Sequence, residues 1–443
     1  MKTEFNNIDQ LCHELNGSLK SIYQSNRPIP ANLPELAPIP DDGLGMPALP
    51  ELWSQLIDGS TKLASPNMIG HMDTAPHPAA ALSDAIVSAL NNNLLFRELS
   101  PIASQIEESI VDDFRRRSGL SDAWTGTFAS GGSVANLTAL FAACGGFTDT
   151  TRRDRIRLFV SEATHASIKK SAAVLGLNTE QIIVVPGDDC GRIKADALDS
   201  LLKQNKQFKN IVVAVLGTTI HGAVDNVEDA ERVMQHYGAW LHVDAVYGAA
   251  LMFSKLNKHF LKGLDAADSI VMGPQKWMYV PRLNAVVYIK NQTIMDDRLG
   301  IKLPYSATGE PHRGLWGLQG SRRADAVTLW ILLQVVGTKK LEQWVDQSIA
   351  TTHEFHKLLV QDPELIPTHV PDLNLQCFRF TRKLSDDQIL KAHQQLTQAG
   401  GPWVSLSSWR GELLFRSVLL SPETKTEHLN DLIQSVKTSL ESS

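Results

Sequence analysis

The apolar positions along this 443-residue chain change rhythm several times, and each change predicts a different kind of element. Residues 1 to about 60 open with a polar helical pattern and pass into RPIPANLPELAPIPDDGLGMPALPEL. A stretch so rich in proline cannot build a compact core of its own and is expected to lie as an arm over the main body or over a partner subunit. From about residue 80 the period becomes helical: Leu82, Ile86 and Leu90 recur every fourth residue in ALSDAIVSALNNN. A second helix follows Ser100 and Pro101, with Ile102, Ile106, Ile110 and Phe114 on one face. Ser100 is placed to cap it and Pro101 to occupy its first position.

Short, wholly apolar runs come next: RLFVSE (157–162), QIIVVPG (181–187), NIVVAVLGTT (210–219), AWLHVDAVYG (239–248), DSIVMG (268–273) and NAVVYIK (284–290). Helical stretches such as ADALDSLLKQ and NVEDAERVMQHYG separate them. Strands apolar on both faces that alternate with helices predict an α/β fold with a mostly parallel sheet covered by helices. After about residue 325 the texture shifts to a long helix, ADAVTLWILLQVVGTKKLEQWV, then short strands and a last helix, which reads as a smaller α+β domain. The expected division is an arm at 1–60, a large domain at 61–325 and a small C-terminal domain at 326–443.

With 43% hydrophobic residues the chain can bury a large core. A net charge of −6 without a long basic block argues against a nucleic-acid partner, and Arg115 to Arg117 reads as a solvated helix end. No run approaches the roughly 18 uninterrupted apolar residues of a membrane span, so no membrane partner is expected. The start, MKTEFNNIDQLCHELNG, lacks the apolar segment of a signal peptide. Cys12, Cys144, Cys190 and Cys377 are scattered and form no CxxC pair, which disfavours structural zinc and a disulfide framework. A reducing, cytoplasmic setting and no metal are the expectation.

Three features carry chemistry. In GTFASGGSVANLTALFAA, Gly131 and Gly132 let backbone N–H groups approach an anion at the start of a helix, and Ser133 adds a hydroxyl. Asp244, at the end of the run LHVDAVYG, is a carboxylate able to pair with a protonated pyridine nitrogen; capping a helix or binding a metal with His242 are its plainer uses. Lys276 in GPQKWMYVP has Trp277 and Met278 beside it, the apolar surround that a nucleophilic amine needs. Together they are what a pyridoxal phosphate site requires: a carboxylate for the ring nitrogen, a lysine for the imine and a turn for the phosphate. His165 in SEATHASIKKSA is placed either to lie on the ring or to cap the next helix, and Thr218 and Thr219 are hydroxyls at a strand end. His71, Asp73 and His77 have loose metal-like spacing but read better as a proline-bounded loop lining the pocket.

The set ASGGSVANLTAL, SEATHASIKKSA, GTTIHGAVD, HVDAVYG and PQKW, in that order, resembles the group II pyridoxal-phosphate-dependent amino-acid decarboxylases, which act on aromatic amino acids, glutamate, cysteine sulfinate or diaminobutyrate. The resemblance spans about residues 65 to 435. It implies the transferase fold of type I, a homodimer with the active site at the subunit interface, and decarboxylation of an L-amino acid to its amine. By motif, Lys276 would be the Schiff-base lysine, Asp244 the partner of the pyridine nitrogen and His165 the ring-stacking group. Gly132 and Ser133 would hold the phosphate, Thr218 would sit beside Asp244 and the ring, and Thr74 matches a position near the substrate.

Three departures stand out. Gln275 replaces the histidine usual before the lysine; an amide donates to phosphate but is no acid at neutral pH. Val246 replaces the usual alanine on the far face of the ring. The loop after the lysine has one tyrosine, Tyr305, earlier than the family position, with His312 as the other candidate to protonate Cα. Rival readings are transamination, desulfination or aldol cleavage on the same fold, which an Arg416 holding the α-carboxylate would favour over an Arg416 paired with Glu412. A non-catalytic scaffold is a further alternative, and a nicotinamide dehydrogenase is disfavoured because no GxGxxG follows an early strand.

Overall fold

The computed structural model describes residues 8–148, 152–301 and 313–441. The chain forms two compact units, one of residues 76–350 and 371–375, the other of residues 1–75, 351–370 and 376–443.

The first unit is built on seven strands: β1 (Trp124–Ala129), β2 (Ile156–Ser161), β3 (Ile182–Val185), β4 (Lys209–Val215), β5 (Trp240–Ala245), β6 (Ser269–Met272) and β7 (Ala285–Lys290). Their order in the sheet is β1-β7-β6-β5-β4-β2-β3. All neighbours pair in parallel except at β7, which is antiparallel to both β6 and β1. Six strands therefore point the same way and their carboxyl ends share one edge of the sheet. Two apolar clusters pack one face of the sheet against the helix Gly132–Ala143, Ala135, Ala139, Val271, Val287 and Trp316 in one, Leu140, Leu158, Ile168, Ile211 and Val213 in the other, and successive residues of the central strands are buried whichever face they take. This is the mostly parallel, helix-covered sheet that the apolar runs predict, and each of the six runs contains a strand.

The runs do not reveal β1. Its sequence, WTGTFA, is interrupted by Gly126 and two threonines and reads as turn chemistry, yet every residue is buried. Tertiary pairing decides the matter: the strand is zipped to β7 from Trp124↔Lys290 to Ala129↔Ala285. As an edge strand it carries outward-facing main-chain groups that need partners. Glu107, from the helix Pro101–Arg117, accepts the Phe128 N–H at 2.9 Å and the Thr127 hydroxyl at 3.1 Å through Oε1. Arg322 donates to the Phe128 carbonyl at 2.9 Å and pairs bidentately with Glu107 at 3.0 and 3.2 Å. Both side chains are buried.

Two further expectations change. Ser100 and Pro101 open their helix as predicted, but the Ser100 side chain makes no capping hydrogen bond. The stretch ADAVTLWILLQVVGTKKLEQWV is not one helix: within Asp325–Gln361, Gly337 has φ 73° and ψ 161° and breaks the hydrogen-bonded ladder. A positive φ there suits the one residue without a Cβ.

The helix Pro78–Leu90 forms as its period predicts, with its leucine and isoleucine stripe turned outward. Ala80 and Val87 face the interior, whereas Leu82, Ile86 and Leu90 are 53%, 61% and 61% exposed. Ile102 is likewise exposed, while Ile106, Ile110 and Phe114 on its helix are buried.

In the second unit, β8 (Leu365–Pro367), β9 (Leu375–Phe380), β10 (Ser405–Trp409) and β11 (Glu412–Val418) form an antiparallel sheet in the order β10-β11-β9-β8. It packs with the helices Asp386–Ala399 and Thr426–Glu441 around Phe378, Phe415, Leu396 and Leu432. The N-terminal residues belong to this unit: Arg27 donates to the Gln398 carbonyl at 3.3 Å, and Leu33, Leu36 and Ile39 are exposed.

Because Arg322 is buried, removing its counter-charge leaves an uncompensated cation. Glu107→Gln is expected to destabilise the protein by about 3–5 kcal/mol in chemical denaturation. A single variant as stable as the parent would contradict the assigned role.

Candidate active site

Five of the co-directed strands deliver the candidate residues to one edge of the sheet. β1 ends at Ala129 and turns through Ser130 and Gly131 into the helix Gly132–Ala143. β2 leads to His165, β4 to Thr218, β5 carries Asp244 and β6 leads through Gly273 and Pro274 to Lys276. Ligands of open α/β sheets bind beyond carboxyl strand ends, and Asp244 lies on the central strand, beside Val215 of β4 and Val271 of β6.

The glycine turn is held by sterics. Gly131 has φ 82°, a conformation that disfavours any side chain. A Cβ on Gly132 would stand 2.8 and 3.1 Å from the two methyls of Val246, and one on Gly273 2.4 Å from the Val246 carbonyl. A Cβ on Gly131 would lie 3.5 Å from Gln275 Oε1. The turn and Val246 therefore meet with no room for an added methyl, and Gln275 lies in ordinary contact with the turn. Gln275 Oε1 accepts the Asn284 N–H at 2.8 Å, which fixes the amide so that its NH₂ is the donor end. Ser133 is exposed in the first turn of its helix.

Asp244 is 5% exposed. Among the described residues its side-chain oxygens take hydrogen bonds from two neutral donors, Asn136 Nδ2 at 2.9 Å and the Val246 N–H at 3.1 Å. Burial raises its carboxyl above the usual range, while the Val246 N–H, the Asn136 amide and the neighbouring His165 and Lys276 act in the opposite direction. A buried carboxylate so placed lacks a cationic hydrogen-bond donor, and the N–H of a protonated pyridine has that chemistry. The chemistry of this donor set therefore fits pyridoxal phosphate, whose ring nitrogen Asp244 would hold.

Lys276 is half-buried on the short helix Pro274–Trp277. Trp277 and Met278 are fully buried, as the apolar surround required, and Trp277 stacks on Tyr247 with ring centroids 5.1 Å apart. His165 caps the helix Ala166–Val174, its Nδ1 accepting the Ser167 N–H, and its side chain is exposed. Thr218 is buried, and its hydroxyl accepts the Ala223 N–H at 3.0 Å. It stands two residues beyond Leu216, whose N–H bonds the Asp244 carbonyl at 2.9 Å.

Other candidates fall elsewhere. Tyr305 and His312 lie outside the described residues. Thr74, Asp73 and Arg416 belong to the second unit. Arg416 does not pair with Glu412: Glu412 pairs with Arg379 at 3.0 Å, and Arg416 donates to the Gly70 carbonyl at 3.2 Å. His77 caps its helix by accepting the Ala79 N–H, and His71 packs against Trp403. Among the described residues no group of three His, Cys, Asp or Glu side chains is placed to hold a metal ion. His242 is fully buried and hydrogen-bonds Ser269 and Asn136. Asn136 escaped the sequence reading; an amide on the buried side of a helix of Ala and Leu was the available signal, since buried polar groups need partners.

Residues 39–381 match the pyridoxal-dependent decarboxylase conserved domain. Aspartate 1-decarboxylase of Aliivibrio fischeri is 28% identical, over 86% of this chain and 81% of that protein. L-2,4-diaminobutyrate decarboxylase of Rhizobium meliloti is 26% identical, over 91% and 83%. The crystal structure of Oryza sativa TDC with PLP and tryptamine shares the fold with a TM-score of 0.90, across 99% of this chain and 98% of that one, at 21% identity. The matched segment holds the glycine turn, His165, Asp244 and Lys276, and on that match the chain belongs to the pyridoxal-dependent decarboxylase family, carboxy-lyases that act on amino acids with pyridoxal phosphate as cofactor.

Proposed function

We propose that this protein decarboxylates an L-amino acid to the corresponding amine, with Lys276 as the amine that carries the cofactor. The observation that supports this reading most is Asp244: a buried carboxylate held by two neutral donors, close enough to Lys276 and His165 to feel their charge. Pyridoxal phosphate, when bound, supplies an aldehyde that condenses with amines and a pyridine ring that takes up an electron pair.

The chain's residues divide the remaining work. The N–H groups around Gly131 and Gly132, the Ser133 hydroxyl and the Gln275 NH₂ hold the phosphate. Asp244 keeps the ring nitrogen protonated. Val246 and His165 hold the two faces of the ring, and Thr218 lines its edge beside Asp244. Lys276 yields its place to the substrate amine and takes it back at the end of turnover. Thr74 contacts the substrate. With pyridoxal phosphate supplying the acceptor for the electron pair, the substrate would lose its carboxylate as carbon dioxide, and Asp244 would supply the counter-charge that supports that acceptor. Tyr305 or His312 then returns a proton to Cα.

Exposed Leu82, Ile86, Leu90, Leu99 and Ile102 support a homodimer that covers them, since single apolar residues on a surface are ordinary but five on two neighbouring segments of chain are not. The absence of a disulfide among the four cysteines fits a cytoplasmic setting.

Borohydride reduction of the yellow holoenzyme is expected to fix the cofactor on Lys276, read by peptide mapping, and Lys276→Ala to release no carbon dioxide from any amino acid. A keto acid or aldehyde as main product in a screen across the amino acids would overturn the decarboxylase reading. Gly132→Ala is expected to weaken cofactor affinity about tenfold by driving the new methyl into Val246, a packing cost of roughly 1–2 kcal/mol, and Val246→Ala to restore it in the double variant. Equal affinity in all three proteins would remove the steric argument. Ile86→Asp is expected to shift light-scattering mass from dimer toward monomer; an unchanged dimer would place the interface elsewhere.

A further inference from the structure

Asp244 does not stand alone behind the ring site. Starting from it, one unbroken line of hydrogen bonds runs back through the sheet: Asn136 Nδ2 at 2.9 Å, then Asn136 Oδ1 to His242 Nε2 at 3.1 Å, His242 Nδ1 to Ser269 Oγ at 2.9 Å, and Ser269 Oγ to Trp240 Nε1 at 2.9 Å. Asn136, His242 and Ser269 are each at most 1% exposed. The carboxylate end fixes its direction. An ionised carboxylate only accepts and an indole N–H only donates. Asn136 must therefore turn its NH₂ to Asp244, which leaves its carbonyl to accept from His242. His242 must carry its proton on Nε2, and its Nδ1 then accepts from the Ser269 hydroxyl, which itself accepts from Trp240. A neutral imidazole is required, and burial pushes His242 down to about 3.

The same amide reaches the other side of the site. The second Nδ2 hydrogen of Asn136 goes to Ser167 Oγ at 3.1 Å. Ser167 Oγ lies 2.8 Å from His165 Nδ1, and the Ser167 N–H also donates to Nδ1 at 3.2 Å. With Nδ1 accepting both, His165 carries its proton on Nε2, the nitrogen directed away from its helix cap.

We propose that Asn136, locked in orientation by His242, is the positioning residue that aims Asp244 and keeps it ionised, and that through Ser167 it also sets the tautomer of His165. A flipped amide would press its carbonyl against the carboxylate, so the arrangement has one stable sense. The inference rests on the reading that Asp244 faces the ring nitrogen.

The test uses holoenzyme loaded with pyridoxal phosphate isotope-labelled at the ring nitrogen, whose NMR shift reports protonation directly. Asn136→Leu is expected to move that signal toward the deprotonated pyridine and to lower kcat about 10–100-fold with KM little changed, the range typical when a partner that orients a site ligand is removed. His242→Leu is expected to move it the same way, and His242→Gln, which keeps a donor at the Nε2 position, to restore the parent signal. The histidine pair carries the test if Asn136→Leu fails to fold. Asp244→Asn separates the layers. If it moves the ring-nitrogen signal and neither Asn136→Leu nor His242→Leu does, the positioning role is wrong while the reading of Asp244 stands. If Asp244→Asn leaves the signal in place, both fall. In protein labelled at histidine, a His242 proton found on Nδ1 rather than Nε2 would likewise overturn the direction of the relay.

Discussion

The arrangement depends on one costly act, the burial of the Asp244 carboxylate at the carboxyl end of the central strand. Desolvation alone would drive that group toward its neutral acid. Asn136 and the Val246 N–H offset part of the cost, and both are neutral. The remainder is an unmet demand for positive charge, which a protonated pyridine would answer. The demand is local, but the sheet creates it: β4 and β6 flank Asp244 and exclude water on either side.

The sheet also explains why residues so far apart in sequence come to one place. Parallel strands put all their carboxyl ends on one edge, so the glycine turn, His165, Thr218, Asp244 and Lys276 arrive at the same edge from five different strands. β1 has the least intrinsic reason to be a strand, and the buried Glu107–Arg322 pair satisfies its outer edge. The last residue of that strand leads into the glycine turn. An ion pair remote from the chemistry thus fixes where the turn begins.

Much of this was legible in the chain. Two-sided apolar runs marked six of the seven strands, and Asp244 and Lys276 announced themselves by following such runs. Long-range pairing was not legible: β1 reads as turn because Gly126 and its threonines have no apolar rhythm, and only β7 and Glu107 make it a strand. Leu82, Ile86 and Leu90 show a limit of a different kind. Periodicity reports that a face is apolar and not what covers it, and here the face points outward. Asn136 was hidden because an amide carries no motif; its meaning lies in the three partners around it.

The most direct test is an experimental structure of the holoenzyme at a resolution that places the ring atoms. The account requires one oxygen of Asp244 within about 3 Å of the pyridine nitrogen and unbroken density from Lys276 to the aldehyde carbon of the same ring. A ring whose nitrogen faces any other side chain, or whose aldehyde carbon lies out of reach of Lys276, would contradict it.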